Sequence, residues 1–325
     1  MAKPRVAFYW CASCGGCEEA VVDLNEDILQ LADTVDIVFW PVALDFKKQD
    51  IEAMKDGGIT VSFINGAVRL KEQEEIVRLL RQKSGMVVAF GACAHLGGIP
   101  GLGNFCNRDM IFQWVYKDAP SVVNPEGIIP QEKTLENGHE LNLPEFYDTV
   151  SALDQVIPVD YYLPGCPPPP DLIMNAVNAI LTGQLPEKGA VLAPNIALCD
   201  TCPRKDSKPD RIAVKDIKRP WEIKIDPEQC FLVQGLFCYG PATRTGCGET
   251  CIRANMPCRG CFGPVDGVVD QGTKALAMFA SILGVEEEGK MSDEDVRKLI
   301  DRFPDPAGTF YRFGLPTSLL KRKRV

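Results

Sequence analysis

The sequence predicts an α/β fold, in which a doubly wound parallel sheet is followed by a small, irregular cysteine-rich domain with helices. Three observations lead to this prediction. Short apolar runs alternate with amphipathic runs through the first half of the chain, which is typical of a parallel sheet flanked by helices. The 325 residues, 46% of them hydrophobic, are enough for two domains. Eight of the 14 cysteines are crowded between positions 199 and 261, so the two halves are built differently.

The first half divides into strands and helices by the spacing of its apolar residues. Buried strands are predicted at residues 6–10, 35–40, 59–64, 86–90 and 160–163. Helices are predicted at residues 20–31, 72–80 and 170–181, and the last has Pro170 in its first turn and Gly183 just past its end. We therefore expect residues 1–185 to form a flavodoxin-like domain.

The chain after residue 118 has fewer regular patterns. Residues 118–158 are polar and contain proline and glycine, which indicates an insertion or a long loop over the sheet edge. Residues 186–325 are assigned to a cysteine-rich domain, and residues 185–195 are interpreted as the linker that leads into it. Helices are predicted at residues 273–283 and 292–302, the second with Asp295 in the capping-box position.

The charge and hydropathy of the chain exclude two classes of partner. A formal net charge of -9 and a pI near 5.0 argue against a nucleic-acid surface, and the basic residues 321–324 are interpreted as a solvated tail, with an acidic partner surface as the weaker alternative. No apolar run approaches the roughly 20 residues of a membrane span, and the first residues do not resemble a signal peptide. We therefore expect a cytoplasmic protein without a membrane partner.

The cysteines carry the chemistry of the chain. Cytoplasmic cysteines are not expected to form stable disulfides, so 14 thiols point to metal binding. Cys14, Cys17, Cys93 and Cys166 each follow the carboxyl end of a predicted strand. These ends share one edge of a parallel sheet, so the four thiols are expected to meet at one cluster. A Cys-x-x-Cys pair with two further cysteines is also a zinc pattern, and a zinc-stabilised scaffold protein stays open as an alternative.

Three motifs resemble the small subunit of NiFe hydrogenases, a family that shares its proximal-cluster fold with a subunit of complex I. The family's Cys-x-x-Cys followed by an acidic residue is matched by Cys14, Cys17 and Glu19. Its Gly-x-Cys-Ala is matched by residues 91–94, and its Gly-Cys-Pro-Pro by residues 165–168. By this resemblance a proximal 4Fe-4S cluster is held by Cys14, Cys17, Cys93 and Cys166.

The resemblance also assigns the cysteines of the second domain. The family's distal site opens with His-x-x-Cys, where this sequence has Cys-x-x-Cys, which implies a distal 4Fe-4S cluster on Cys199, Cys202, Cys230 and Cys238. The family's medial region often supplies three cysteines, and Cys251 is an additional one here. This implies a medial 4Fe-4S cluster, in place of a 3Fe-4S cluster, on Cys247, Cys251, Cys258 and Cys261, and three 4Fe-4S clusters in all.

The function implied by the resemblance is electron transfer within an oxidoreductase complex that acts on hydrogen. The chain would take electrons from a NiFe site in a separate large subunit and pass them through the three clusters to an acceptor subunit with an iron–sulfur centre or a flavin. The missing twin-arginine leader and the all-cysteine distal site resemble the cytoplasmic branch, which implies heterodisulfide reductase as the acceptor. A deazaflavin-reducing hydrogenase and a complex I type cluster subunit are the alternatives.

Three further residues need an interpretation. By resemblance Glu19 helps to move protons beside the proximal cluster, but a carboxylate in a first helical turn is equally explained by the helix dipole. Cys11 and Cys106 have no assigned cluster and are expected to be buried thiols. Cys11 is close enough to Cys14 to take its place as a ligand if the register of the loop differs.

Overall fold

A computed structural model describes residues 3–283, 292–303 and 305–320. The basic residues 321–324, interpreted above as a tail, lie outside the described residues. Within these ranges the strands are β1 (Arg5–Trp10), β2 (Asp36–Phe39), β3 (Ile59–Asn65), β4 (Val68–Leu70), β5 (Ser84–Phe90), β6 (Lys133–Glu136), β7 (His139–Asn142), β8 (Phe146–Ser151) and β9 (Tyr161–Leu163). The helices are α1 (Gly16–Val22), α2 (Asp27–Thr34), α3 (Lys48–Glu52), α4 (Lys71–Lys83), α5 (Gly91–Leu96), α6 (Arg108–Gln113), α7 (Pro170–Thr182), α8 (Leu198–Thr201), α9 (Thr250–Arg253), α10 (Gln271–Ile282), α11 (Asp293–Asp301) and α12 (Pro306–Phe310).

Five strands form one parallel sheet in the order β2-β1-β3-β5-β9. This is the flavodoxin-like order, in which the chain switches direction beside its first strand. Four strand ends lie side by side: Trp10 pairs with Asn65, Asn65 with Phe90, and Phe90 with Leu163. The loops that follow β1, β3, β5 and β9 therefore leave the sheet at one edge.

Helices cover both faces of the sheet because successive strand residues point to opposite sides. Phe8 packs with Ala20 of α1 and Val177 of α7 on one face. Its neighbour Ala7 packs with Val77 of α4 on the other face. The first half is therefore doubly wound, as predicted.

The helix predicted at residues 20–31 is interrupted. It divides into α1, which ends at Val22, and α2, which begins at Asp27. Between them Asn25 has a φ of 53°, in the left-handed region that ends a right-handed helix. The prediction of one continuous helix was wrong because apolar spacing continues across this turn.

Much of the segment predicted as a long loop has regular structure. β8 pairs antiparallel with β4, and β6 pairs with β7 in an exposed hairpin. The buried Asn104 fixes β8, since its Nδ2 donates to the Val150 carbonyl oxygen at 2.9 Å and its Oδ1 accepts from the Val150 N–H at 2.7 Å. The expectation of an irregular loop over residues 118–158 therefore holds only for part of that segment.

The second half has a core of its own, built from aromatic rings. The Phe237 ring lies 5.1 Å from those of Phe279 and Phe310, at angles typical of edge-to-face contact. The predicted helices at 273–283 and 292–302 correspond to α10 and α11, and Ser292 forms the expected capping box with Asp295. Among the described residues, none of the helices combines the length and the apolar character needed to span a bilayer.

Candidate metal centres

Four cysteines lie together at the carboxyl edge of the sheet and are here called the strand-end group: Cys14, Cys17, Cys93 and Cys166. Burial raises the pKa of the Cys17 thiol, and the charges of Cys93, Cys166 and Cys14 raise it further. The pKa of Cys93 rises to about 12, first by burial and then by Cys166 and Cys14. The four thiols are therefore within electrostatic reach of one another.

Two glycines let the backbone approach the sulfurs of this group. A Cβ at Gly91 would lie 2.3 Å from Cys17 Sγ, and the φ of Gly91 is 84°. A Cβ at Gly98 would lie 2.4 Å from Cys93 Sγ. Contacts this short leave no room for a side chain, so glycine is required at both positions.

A second group, here called the outer group, is formed by Cys199, Cys202, Cys230 and Cys238. Burial raises the pKa of Cys199 to about 12, and Cys238, Cys230 and Cys202 contribute to the increase. Burial also raises the pKa of Cys238 to about 11, with smaller effects from Cys230 and Cys202. A Cβ at Gly240 would lie 2.9 Å from Cys199 Sγ, so this group too has glycine backbone against a sulfur.

The remaining group, here called the middle group, is formed by Cys247, Cys251, Cys258 and Cys261. The pKa of Cys261 rises to about 12 through burial, followed by the charges of Cys166, Cys247 and Cys251. Burial raises the pKa of Cys258 strongly, and Cys238, Cys261 and Cys247 add to this.

The middle group interacts with both of the others. The charge of Cys166, in the strand-end group, raises the pKa of Cys261. The charge of Cys251 in turn raises the pKa of Cys166. In the outer group, the charge of Cys238 raises the pKa of Cys258. The middle group thus has thiols within electrostatic reach of a thiol of each of the other two groups.

The donor chemistry of these groups fits iron–sulfur clusters. Buried, crowded thiols are difficult to ionise together unless a cation compensates their charge, and iron does so. Backbone N–H groups also point at the sulfurs: Gly16 N–H donates to Cys14 Sγ and Gly260 N–H to Cys258 Sγ, both at 3.4 Å. All 14 cysteines are free thiols. In the part of the chain that the structure describes, no three His, Cys, Asp or Glu side chains are placed to hold a single metal ion.

The two unassigned cysteines have different environments. Cys11 is 4% exposed and packs on the sheet face opposite to Cys17. Burial raises its pKa, as expected for a buried thiol. Cys106 is only half-buried, so the same expectation was wrong for it.

The carboxylate selected from the sequence is not the buried one. Glu19 is exposed, whereas its neighbour Glu18 is 5% exposed. The Glu18 carboxylate accepts hydrogen bonds from Trp40 Nε1 and, at 2.5 Å, from Asn65 Nδ2. Sequence reasoning missed Asn65, although a polar residue at the end of an apolar strand is a signal that could have identified it.

The chain is similar in sequence or in fold to several known proteins. Residues 14–180 match the family described as NADH ubiquinone oxidoreductase, 20 kDa subunit. The chain is 41% identical to the iron-sulfur subunit of an F420-non-reducing hydrogenase from Archaeoglobus profundus, over 98% of each protein. It is 36% identical to a subunit of the F420-non-reducing hydrogenase from Methanothermobacter thermautotrophicus, over 99% of this chain and 97% of that protein. A chain of the NiFeSe hydrogenase from Dm. baculatum has the same fold, with a TM-score of 0.51 at 18% identity over 82% of this chain and 96% of that one.

Proposed function

The chain belongs to the family of the 20 kDa subunit of NADH ubiquinone oxidoreductase, as a hydrogenase small subunit, and on this premise we propose that it relays electrons through three 4Fe-4S clusters. It is the electron-transfer component of a hydrogenase, binds iron–sulfur clusters and pairs with a large subunit. We propose that electrons enter from the NiFe site of that large subunit and leave to a downstream acceptor such as heterodisulfide reductase.

The observation that supports this proposal most strongly is the succession of three cysteine groups. Each group supplies four thiols, and the middle group interacts with both of its neighbours. A relay needs redox centres that follow one another from one side of the protein to the other. The strand-end group would hold the proximal cluster, the middle group the medial cluster and the outer group the distal cluster.

When bound, each cluster supplies a one-electron redox centre whose potential depends on charge, hydrogen bonds to sulfur and exposure. The chain sets these quantities through its own residues. The N–H groups of Gly16 and Gly260 donate to the sulfurs of proposed ligands, and burial excludes water from Cys17, Cys238 and Cys258.

The exposed edge of the strand-end group is the proposed contact with the large subunit. Cys14 and Cys166 are exposed, and Trp10, whose ring lies against Gly15 next to Cys14, is 37% exposed. Glu19 is also exposed, in the first turn of α1, and stays our proposal for a proton-transfer group at this contact.

The names of the relatives bear on the acceptor. Both relatives described above are called F420-non-reducing, which favours an acceptor other than the deazaflavin F420. We propose heterodisulfide reductase, and reduction of a heterodisulfide by hydrogen in the reconstituted complex tests it. Reduction of F420 at a comparable rate would contradict this choice of acceptor. Copurification with a nickel-bearing subunit distinguishes a hydrogenase from a complex I type cluster protein.

Metal and sulfide analysis of the purified complex tests the relay itself. Three cubane clusters require about twelve irons and an equal amount of acid-labile sulfide in this chain, once the iron of the other subunits is subtracted. Zinc without sulfide would contradict the proposal and support a structural metal site instead.

The fourth ligand of the middle group gives a sharper test. We expect Cys251→Ala to convert the medial 4Fe-4S cluster to a 3Fe-4S cluster, because only three thiolates remain around it. The oxidised 3Fe-4S form has its own electron paramagnetic resonance signal. Cys106→Ala is the matched control, since Cys106 belongs to none of the three groups, and it should leave the spectrum unchanged. An unchanged spectrum in the Cys251→Ala complex would exclude Cys251 as a ligand.

A further inference from the structure

We infer that Asn65 is a positioning residue for the proximal site, whose side-chain amide holds the segment that carries Cys14 and Cys17 in place. Asn65 is not a ligand, and the inference rests on the proposed cluster at the strand-end group. It adds to that proposal a polar network of Ser13, Glu18, Trp40 and Asn65, which we call the loop anchor.

Asn65 is the last residue of β3 and is fully buried. Its Nδ2 donates to Glu18 Oε1 at 2.5 Å and to the Tyr9 carbonyl oxygen at 3.3 Å. Its Oδ1 accepts from the Ser13 hydroxyl at 3.1 Å. One side chain thus contacts the end of β1, the loop that follows it and the first turn of α1.

The backbone of Asn65 supports the same segment. Its carbonyl oxygen accepts from the Cys11 N–H at 2.8 Å. Just beyond this hydrogen bond, Ala12 pairs with Ala67 in an antiparallel bridge. Gly66 makes this approach possible, because a Cβ there would lie 2.6 Å from the Cys11 carbonyl carbon. The start of the ligand loop is therefore held by both the backbone and the side chain of Asn65.

Glu18 links the anchor to the core of the domain. Its second oxygen accepts from Trp40 Nε1, and the Trp40 ring packs against Phe8 with centroids 4.8 Å apart. Glu18 immediately follows Cys17, so a shift of this carboxylate moves a proposed ligand. On the loop side, the Ser13 hydroxyl accepts from the Gly15 N–H at 3.4 Å, next to Cys14.

The chemistry of this position requires an amide. An asparagine side chain has both a donor and an acceptor, and here the donor faces a carboxylate while the acceptor faces a hydroxyl. Aspartate has nearly the same shape but would place a second carboxylate against Glu18. Buried like charges repel each other. A buried polar network in which some groups lack a partner is less stable than a core without polar groups.

The consequence for the site follows from ligand geometry. When a group that orients the ligands of a metal centre is lost, the affinity or activity of the centre typically falls by about 10- to 100-fold. A displaced Cys14–Cys17 loop changes the spin distribution and the potential of the proximal cluster without removing a ligand.

The test replaces the hydrogen-bond donor at position 65 by an acceptor, in the purified complex of the large and small subunits. Asn65→Asp should alter the proximal electron paramagnetic resonance signal, identified as the component that Cys93→Ser removes, and shift its midpoint potential. Combining Asn65→Asp with Glu18→Gln restores a donor–acceptor pair and should return the signal towards the wild-type form. Asn104→Asp is the matched control, because Asn104 is a buried asparagine that bonds to Val150 instead of the ligand loop. It should leave the proximal signal unchanged.

The outcomes separate this inference from the function on which it rests. A wild-type proximal signal and potential in Asn65→Asp, or a double variant that restores nothing, would overturn the inference and leave the relay in place. A wild-type complex without iron and sulfide would overturn the relay first. If Asn65→Asp does not fold, Trp40→Phe replaces it, since it keeps an aromatic ring and removes the N–H donor to Glu18. An unaltered proximal signal in that variant would equally overturn the inference.

Discussion

Asp160, in the first half of the chain, has a dense set of ionic contacts. Its Oδ2 is 2.5 Å from Arg81 Nη1 and accepts from the Val87 N–H at 2.8 Å, while its Oδ1 is 2.7 Å from Lys188 Nζ. These contacts join α4, β5 and the segment after α7 at the point where β9 begins. Burial alone would raise the pKa of Asp160, but the hydrogen bonds from Lys188, Arg81 and Val87 outweigh it and lower the pKa.

We expect Asp160→Asn to destabilise the protein by about 2 kcal/mol at neutral pH, the usual contribution of hydrogen bonds to a charged group. The folded-state pKa is lowered, so the ionised form stabilises the fold above the unfolded-state pKa of about 3.9 and this contribution is lost as the pH falls through that value and below. The gap in melting temperature between wild type and variant should therefore narrow below about pH 4. A gap that stayed constant from neutral pH to about pH 3 would show that the charge of Asp160 is not responsible.

The control for Asp160 is an ion pair whose carboxylate is exposed to solvent. Asp56 lies 3.0 Å from Lys83 Nζ, but its side chain is 63% exposed. Water screens the charge of an exposed carboxylate, so Asp56→Asn should change the melting temperature much less than Asp160→Asn does.

At the scale of residues, position along the chain indicated the proposed ligands but not the residues that hold those ligands in place. Cys93 and Cys166 could be selected because each follows a strand, and parallel strand ends meet at one edge. Asn65 is marked only as a polar residue at the end of an apolar strand, and Glu18 has no sequence signal of its own. Their contact depends on β1 lying beside β3 and on the exit angle of α1. Candidate ligands are thus visible in a sequence before the residues that orient them are.

At the scale of elements, long apolar runs were predictable and short pairings were not. The buried strands β3 and β5 are seven residues each and were recognised from their apolar residues. β4 has three residues and pairs with a strand that follows much later in the chain, so neither its length nor its neighbours indicate a strand. The turn at Asn25 escaped prediction for a similar reason, since one residue in the left-handed region leaves the apolar spacing intact.

Asp270 shows how one cap stabilises two elements. Its Oδ1 accepts from the Thr273 N–H at 2.8 Å at the start of α10, and its Oδ2 accepts from the Leu319 N–H at 2.9 Å. The residue is 6% exposed. The same carboxylate therefore caps a helix and fixes the chain near its described end.

We expect Asp270→Ala to cost about 2–3 kcal/mol, more than a typical N-cap, because it also leaves the Leu319 N–H without its acceptor. Asp270→Ser should recover part of the loss, since serine can cap α10 but cannot reach both N–H groups. Ser292→Ala at the exposed cap of α11 is the control, with an expected cost of about 1 kcal/mol. Thermal unfolding of the three variants gives the ranking, and equal losses for Asp270→Ala and Ser292→Ala would contradict the double role of Asp270.

At the scale of the whole molecule, the last described residues contact the first half of the chain. The Gly98 N–H donates to the Phe313 carbonyl oxygen at 2.9 Å, and Gln155 Nε2 donates to the Pro316 carbonyl oxygen at 2.8 Å. Gly98 also lies against Cys93. The C-terminal segment of the second half therefore packs against the loop behind a proposed proximal ligand, which ties the two halves together near the cysteines.

Gly101 makes this packing possible. A Cβ at Gly101 would lie 2.5 Å from Pro316 Cδ and 2.6 Å from its Cγ, so no side chain fits while the proline ring is present. We expect Gly101→Ala to cost about 1–3 kcal/mol through overpacking and to lower the melting temperature. Hydrogen exchange at the Gly98 amide should become faster, because displacement of Pro316 also moves the nearby Phe313.

The control for this prediction is Pro316→Ala, which removes the two clashing ring atoms. The double variant Gly101→Ala/Pro316→Ala should therefore lose less stability than the sum of the losses in the two single variants. Additive losses, together with wild-type exchange at Gly98, would mean that the C-terminal segment does not hold the two halves together at this contact.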